Sequence, residues 1–296
     1  MGKKGKRSAK TGDGKPKQGP GKARRERAAA MKEFEASVTA LIERLESETK
    51  DMELYGPLIE QEECPICFLP LPRSDPEILY MECCGKIICG GCAHAASLVS
   101  TKTKTSEPCA FCRSEILHDD EALIAQFRSR AEKNDVDAIN GLAGKYEKGE
   151  DGLPKDEIMA LRLHFRAAEL GSLPAIVFLA NRFREGEDVL VPQDTVVAMQ
   201  LATIAAKKGY LKSYSLLGII YHDLGDIENT VKVWTFAARA GHSACMEVVR
   251  TFTIDGTNAV SDDDLEAIED AYKDAVKQEW SEEREAFKKF HRDSFN

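Results

Sequence analysis

Eight of the chain's nine cysteines fall between Cys64 and Cys112, and only Cys245 lies outside. Their order is Cys64-x2-Cys67-x15-Cys83-Cys84-x4-Cys89-x2-Cys92-x16-Cys109-x2-Cys112. Two residues between ligands let a tight knuckle present both sulfurs to one tetrahedral ion, and Zn2+ accepts four thiolates at about 2.3 Å. Eight ligands make two closed sites without a position for water, so the metal is expected to fold a segment too small for its own core rather than to do chemistry. Clustering of this kind argues for metal over disulfides in a chain without export signals. The N-terminus is basic and polar with no apolar stretch behind it, and Lys6 stands where myristoylation wants Ser or Thr. The longest apolar runs, such as Ala175 to Ala180, are far short of the roughly 20 residues a membrane span needs. The expectation is an intracellular protein, cytoplasmic or nuclear, that makes no use of a membrane.

A second constraint lies downstream. From about Asp120 the pattern is helical, and Ala-Ala-x-x-Gly recurs as Ala167-Ala168 with Gly171, Ala205-Ala206 with Gly209, and Ala237-Ala238 with Gly241. Spacings in this range mark stacked helical hairpins. The first helix of each unit carries apolar residues four apart on one face: Ala138, Leu142 and Tyr146, then Leu179 and Phe183, then Leu217 and Tyr221. Gly149 and Gly152, or Gly186, open the turn, and Asp156, Asp194 and Asp226 stand where an N-cap side chain would accept the orphan amides of the second helix. Paired alanines permit close approach, and the Gly that follows suits a left-handed helix end. This tandem resembles the Sel-one-like repeat family, relatives of tetratricopeptide repeats, over about Val136 to Cys245. A degenerate fourth unit is expected to run to about Gln278, with Leu265, Ile268, Tyr272 and Val276 on one face of a last helix. Nothing in the repeats looks catalytic, and Cys245 reads as a small core residue.

Charge divides the chain. Residues 1–30 hold eleven Lys or Arg against two acids, whereas the remainder holds 30 against 48. A body so acidic is a poor general binder of nucleic acid. Residues 1–23 have almost nothing apolar and are expected to be a disordered basic tail, in which Lys3-Lys4-Gly5-Lys6-Arg7 and the cluster from Lys22 to Arg27 read as solvated charge or an import signal. Met31, Phe34, Val38, Leu41 and Leu45 then predict an amphipathic helix within 24–55, packed on the next domain or dimerising.

The cysteine segment resembles a RING finger, on Cys64-Pro65-Ile66-Cys67, Cys84-Gly85-Lys86-Ile87-Ile88-Cys89-Gly90-Gly91-Cys92 and Pro108-Cys109-Ala110-Phe111-Cys112-Arg113. The resemblance implies a cross-brace, with Cys64, Cys67, Cys89 and Cys92 on a first zinc and Cys83, Cys84, Cys109 and Cys112 on a second. Lys86 occupies the place of the usual His. The all-cysteine variety has its fourth ligand where Cys84 stands, with His94 as an alternative to Cys83. The resemblance further implies recruitment of a ubiquitin-conjugating enzyme charged with ubiquitin, through Ile66, Leu98 and Arg113. Ala110 departs from a frequent Pro.

The resulting expectation is a mostly α chain: tail 1–23, helix 24–55, RING-type zinc domain 61–116, Sel-one-like solenoid 120–278, and a helix end and tail 279–296. Its function would be a RING-type ubiquitin ligase with two structural Zn2+ and a client or adaptor on the repeats. The rivals are a non-enzymatic scaffold in which the RING fold and repeats only mediate assembly, and a zinc-dependent nucleic-acid binder.

Overall fold

The structure, a computed structural model, describes residues 20–73, 78–103, 108–117, 119–186, 191–254 and 260–294. The expected tail at 1–19 and its first basic cluster lie outside the described residues. The chain divides into two compact units, 1–41 and 42–296. In the first, helix α1 (Pro20–Glu48) begins within the segment expected to be tail, so Pro20 to Ala23 are helical, Pro being well suited to a first turn. Val38 and Leu41 are buried.

The second unit receives the end of α1, with Ile42 and Leu45 buried. The helix stops at Glu48 rather than near residue 55. The Thr49 hydroxyl turns back onto the Leu45 carbonyl at 2.9 Å, and Gly56-Pro57 cannot continue a helix. The chain then runs extended across the solenoid, where Ile59 donates its amide to the Gly209 carbonyl at 3.1 Å.

The cysteine module follows. Its antiparallel hairpin joins β1 (Ile78–Met81) to β2 (Lys86–Cys89), pairing Ile78 with Cys89 and Met81 with Lys86. Helix α2 (Gly90–Thr103) leaves directly from β2. Leu71, Met81 and Ile88 with Cys64, Cys89 and Cys109 make up its small core.

Next come α3 (Asp120–Glu132), α4 (Val136–Lys148), α5 (Glu157–Glu169), α6 (Leu173–Glu185), α7 (Thr195–Lys207), α8 (Leu211–Asp223), α9 (Ile227–Arg239) and α10 (Ser243–Ile254). Helix α4 packs with α5, α6 with α7, and α8 with α9, while α5 meets α6 and α7 meets α8, the stacking of a solenoid. The regularity is written locally. Asp156, Asp194 and Asp226 each accept an amide two or three residues into the second helix. Gly171, Gly209 and Gly241 take φ of 92°, 79° and 94° just past its end, where a Cβ would be strained. The paired alanines are all buried, as are Leu142, Leu179, Phe183 and Leu217. Cys245 is buried in α10, as a core residue should be.

Helix α11 (Asp262–Lys277) buries Ile268 on the expected face. It is not the last helix. Residues Glu282–Ser294 form a further helix, α12, in place of the helix end and tail expected over 279–296, and it packs against α2. No helix among the described residues is long and apolar enough to cross a membrane.

Candidate metal centres

Two knuckles of the same design present the outer cysteine pairs. In the first, Phe68 donates its amide to the Cys64 carbonyl at 2.8 Å and Cys64 donates to Leu69 at 2.9 Å. In the second, Arg113 donates to the Cys109 carbonyl at 3.0 Å and Cys109 donates to Ser114 at 2.7 Å. Each turn is completed by a non-glycine residue in the left-handed region, Phe68 at φ 59° and Arg113 at φ 61°. The inner cysteines come from the hairpin. Cys83 and Cys84 occupy its tip, where the amides of Cys84 and Gly85 both reach the Met81 carbonyl, and Cys89 and Cys92 flank the strand-to-helix junction.

The fold gathers these eight thiols into two quartets, Cys64, Cys67, Cys89 and Cys92, and Cys83, Cys84, Cys109 and Cys112, each with its sulfurs within 4.8 Å of one another. Pairs one and three meet, and pairs two and four meet. Cys64 Sγ lies 3.8 Å from Cys92 Sγ and Cys67 Sγ 3.9 Å from Cys89 Sγ. In the second quartet Cys83 and Cys112 are 3.5 Å apart, and Cys84 and Cys109 4.0 Å. A tetrahedron with 2.3 Å metal–sulfur arms has edges of about 3.8 Å, so each quartet has the donor set and dimensions to hold one metal ion. Adjacent cysteines serve one site because a hairpin tip, unlike a straight strand, turns both side chains to one side.

The thiols are electrostatically uneven. Burial raises the Cys64 thiol, but the amides of Cys89, Cys67 and Ile66 outweigh it and bring the value down to about 7. The Ser114 hydroxyl and amide hold Cys112 at about 6. Burial and neighbouring thiols push Cys83 and Cys92 upward. The residues of each quartet could hold a dication as four thiolates, which would require them to release their protons.

His94 belongs to neither quartet and packs at a tilt against the Phe290 ring of α12, 4.8 Å between centroids. Of the residues matched to conjugating-enzyme contacts, Ile66 is half-buried against the module's core, while Leu98 on α2 and Arg113 are exposed.

Two arginines that belong to no sequence motif hold the module in place. Arg130 of α3 donates from Nη2 to the Cys83 carbonyl at 2.8 Å and from Nε to that of Glu82, seizing the hairpin tip. Tyr80 adds a 2.8 Å hydrogen bond to Asp135, the N-cap of α4. Arg284 of α12 reaches the first knuckle, donating to the Pro70 carbonyl at 2.8 Å and to Cys67 Sγ at 3.5 Å. Arg284 sits in an acidic run, Glu282-Glu283-Arg284-Glu285, that reads as a solvated face, and no local signal distinguishes it.

Among known families, the Sel1 repeat matches residues 136–172 and 173–210, so the chain carries Sel1 repeats there. The match includes no residue of the cysteine module. Among solved structures, the chain is similar to a Sel1 repeat protein from Oxalobacter formigenes, at 23% identity over 62% of this chain and 72% of that one, with a TM-score of 0.44. It is also similar to c5321, a protective antigen present in uropathogenic Escherichia coli strains displaying an SLR fold, at 16% identity over 67% of this chain, with a TM-score of 0.33. The chain spans 47% of the latter's length. A search of curated proteins finds no match. Repeats of this class are scaffolds for protein–protein interaction.

Proposed function

We propose that this chain, with its Sel1 repeats, is an assembly scaffold in which a two-zinc module is held between helices α3 and α12. The observation that carries this reading is a recurrent surface. In the first turn of α5, α7 and α9, each repeat leaves one aliphatic side chain in solvent: Ile158 at 47%, Val196 at 69% and Ile227 at 46% exposure. Ile158 and Val196 both stand two residues past the capping aspartate, and equivalent positions on successive repeats line up along a solenoid, so these two form an apolar strip that a partner can follow; in α9 Glu228 takes the matching place and Ile227 lies one position off that line. Val196 also lines a groove of about 570 Å3 together with Met199, Thr203, Leu224, Glu46 and Lys50. Zinc is the metal that suits closed all-thiolate quartets, and soft donors with tetrahedral spacing support it.

A second reading, the RING-type ubiquitin ligase, is favoured by one specific observation: the cysteine pairs cross over as that resemblance requires. In it Ile66 and Leu98 would contact a conjugating enzyme, and Arg113, whose planar fork can bridge two proteins, would hold the ubiquitin thioester for attack. One experiment separates the two. The zinc-loaded full chain is mixed with ubiquitin-charged conjugating enzymes and discharge to free lysine is followed. The scaffold reading expects no stimulation by wild type. Stimulation that Ile66→Ala abolishes and Arg113→Ala slows would replace it with the ligase.

A further inference from the structure

We propose that Arg284 is the counter-charge of the first cysteine quartet, so that metal binding at Cys64, Cys67, Cys89 and Cys92 and docking of the C-terminal helix α12 are one linked event. This inference rests on the quartets being metal sites and extends that reading to a residue 217 positions beyond Cys67.

The geometry is specific. Arg284 is 3% exposed. Its Nη1 donates to the carbonyls of Pro70 and Glu279 at 2.8 and 2.7 Å, and its Nη2 points at Cys67 Sγ and the Leu69 carbonyl. Its Nε has no acceptor among the described residues. Helix α12 is brought this close by two glycines at the start of α2. A Cβ on Gly90 would lie 2.4 Å from the Phe287 ring, and one on Gly91 would lie 2.7 Å from the Arg284 amide nitrogen.

Four thiolates around a dication leave a net charge of about −2 in a dry site. A guanidinium donating to one of those sulfurs offsets part of that charge and orients the ligand, as outer-shell partners of metals do. The metal also ties the first knuckle, which carries Cys67 and the Leu69 and Pro70 carbonyls, to the junction that carries Cys89, Gly90, Gly91 and Cys92. Arg284 and Phe287 are seated on both, so when the ion that joins them leaves, the seat of α12 loosens. Thermodynamic linkage makes the effect reciprocal, so freeing α12 must weaken the metal by the same factor by which metal loss frees α12. Arg130 provides the internal contrast, because it holds backbone carbonyls at the hairpin tip and reaches Asp135 at 3.4 Å without touching a sulfur.

The test uses the full chain. Elemental analysis first fixes the zinc content of wild type at the expected two ions. Competition with a chromophoric chelator then measures both affinities in wild type, Arg284→Leu, Arg284→Lys and Arg130→Leu, while hydrogen exchange follows the amides of residues 282–294 with and without chelator. The proposal expects Arg284→Leu to weaken one of the two ions by about 10- to 100-fold and leave the other unchanged, with Lys recovering part of the loss. In the cobalt-substituted protein, the thiolate-to-metal absorption of one site alone should shift. Chelation of wild type should remove protection from α12, a measurement that stands even if the Leu variant fails to fold. Two zinc ions held at wild-type strength by Arg284→Leu, or equal protection of α12 with and without metal, overturns the linkage. A wild type that holds no zinc overturns the metal reading itself and this proposal with it.

Discussion

Acid should loosen the solenoid through one side chain. His164 in α5 is 7% exposed, stacks on Phe178 at 3.7 Å between ring centroids, and has no hydrogen-bond partner on either ring nitrogen among the described residues. Burial, aided by the nearby Arg182, pulls its pKa from 6.5 down to about 4. The folded state therefore keeps the imidazole neutral between those values, whereas the unfolded chain protonates it. The stabilisation is fully present above the unfolded value of 6.5 and is lost as pH falls from there toward 4. The whole gap corresponds to about 3 kcal/mol, and about 2 kcal/mol of it is spent between pH 7 and pH 5. His242, also lowered by burial, adds in the same direction, as does protonation of the cysteine quartets. The contribution of His164 is thus isolated as a difference between wild type and His164→Leu. Leu fills similar volume and removes two unsatisfied polar atoms, so the variant should match or exceed wild type at pH 7. Urea unfolding of both proteins at pH 7, 6 and 5 is the assay. Wild type should lose about 2 kcal/mol more than the variant over that interval. Equal losses in the two proteins would refute the reasoning, because they would mean that His164 titrates normally in the folded state.

Other perturbations have equally definite outcomes. Gly218 in α8 lies under Trp234, where an added Cβ would come within 2.0 Å of the indole nitrogen that bonds the Ser215 carbonyl at 3.1 Å. Gly218→Ala gains about 1 kcal/mol of helix propensity, but displacing the indole costs more, so thermal melting should show a net loss of about 1–2 kcal/mol. Asp194 accepts two amides, from Val196 and Val197, both at 3.0 Å; Asp194→Ala should cost about 1 kcal/mol in chemical denaturation, and Asp194→Ser much less. For the metal, Cys83→Ser or Cys84→Ser should lower zinc from two ions to one per chain by elemental analysis, whereas His94→Ala should leave both.

What the sequence made legible is what short-range physics encodes. The capping aspartates, the left-handed glycines and the four-residue apolar spacing each act within one turn of helix, and together they outline the solenoid. The grouping of the cysteines followed from the resemblance, and Cys83 and Cys84 could share a site only once the hairpin put both on its tip. Illegible features depend on long-range contact. The run after α1 is set by the surface the chain crosses, not by its own periodicity. Helix α12 reads as a helix end and tail because its burial comes from two glycines and a histidine nearly two hundred residues earlier. Arg130 and Arg284 carry no pattern, since one side chain that bridges two elements leaves no repeat to detect.

The bond between Arg284 and Cys67 spans 217 positions of sequence, and during synthesis that separation becomes a delay. At about 5–20 residues per second, roughly 10–40 s pass between the emergence of the first knuckle and that of the residue that seals it. Through that interval the first quartet is solvent-facing, and its thiols are open to oxidation or to a competing ion. The first quartet is thus closed off only when α12 has been made, long after its own four cysteines have left the ribosome.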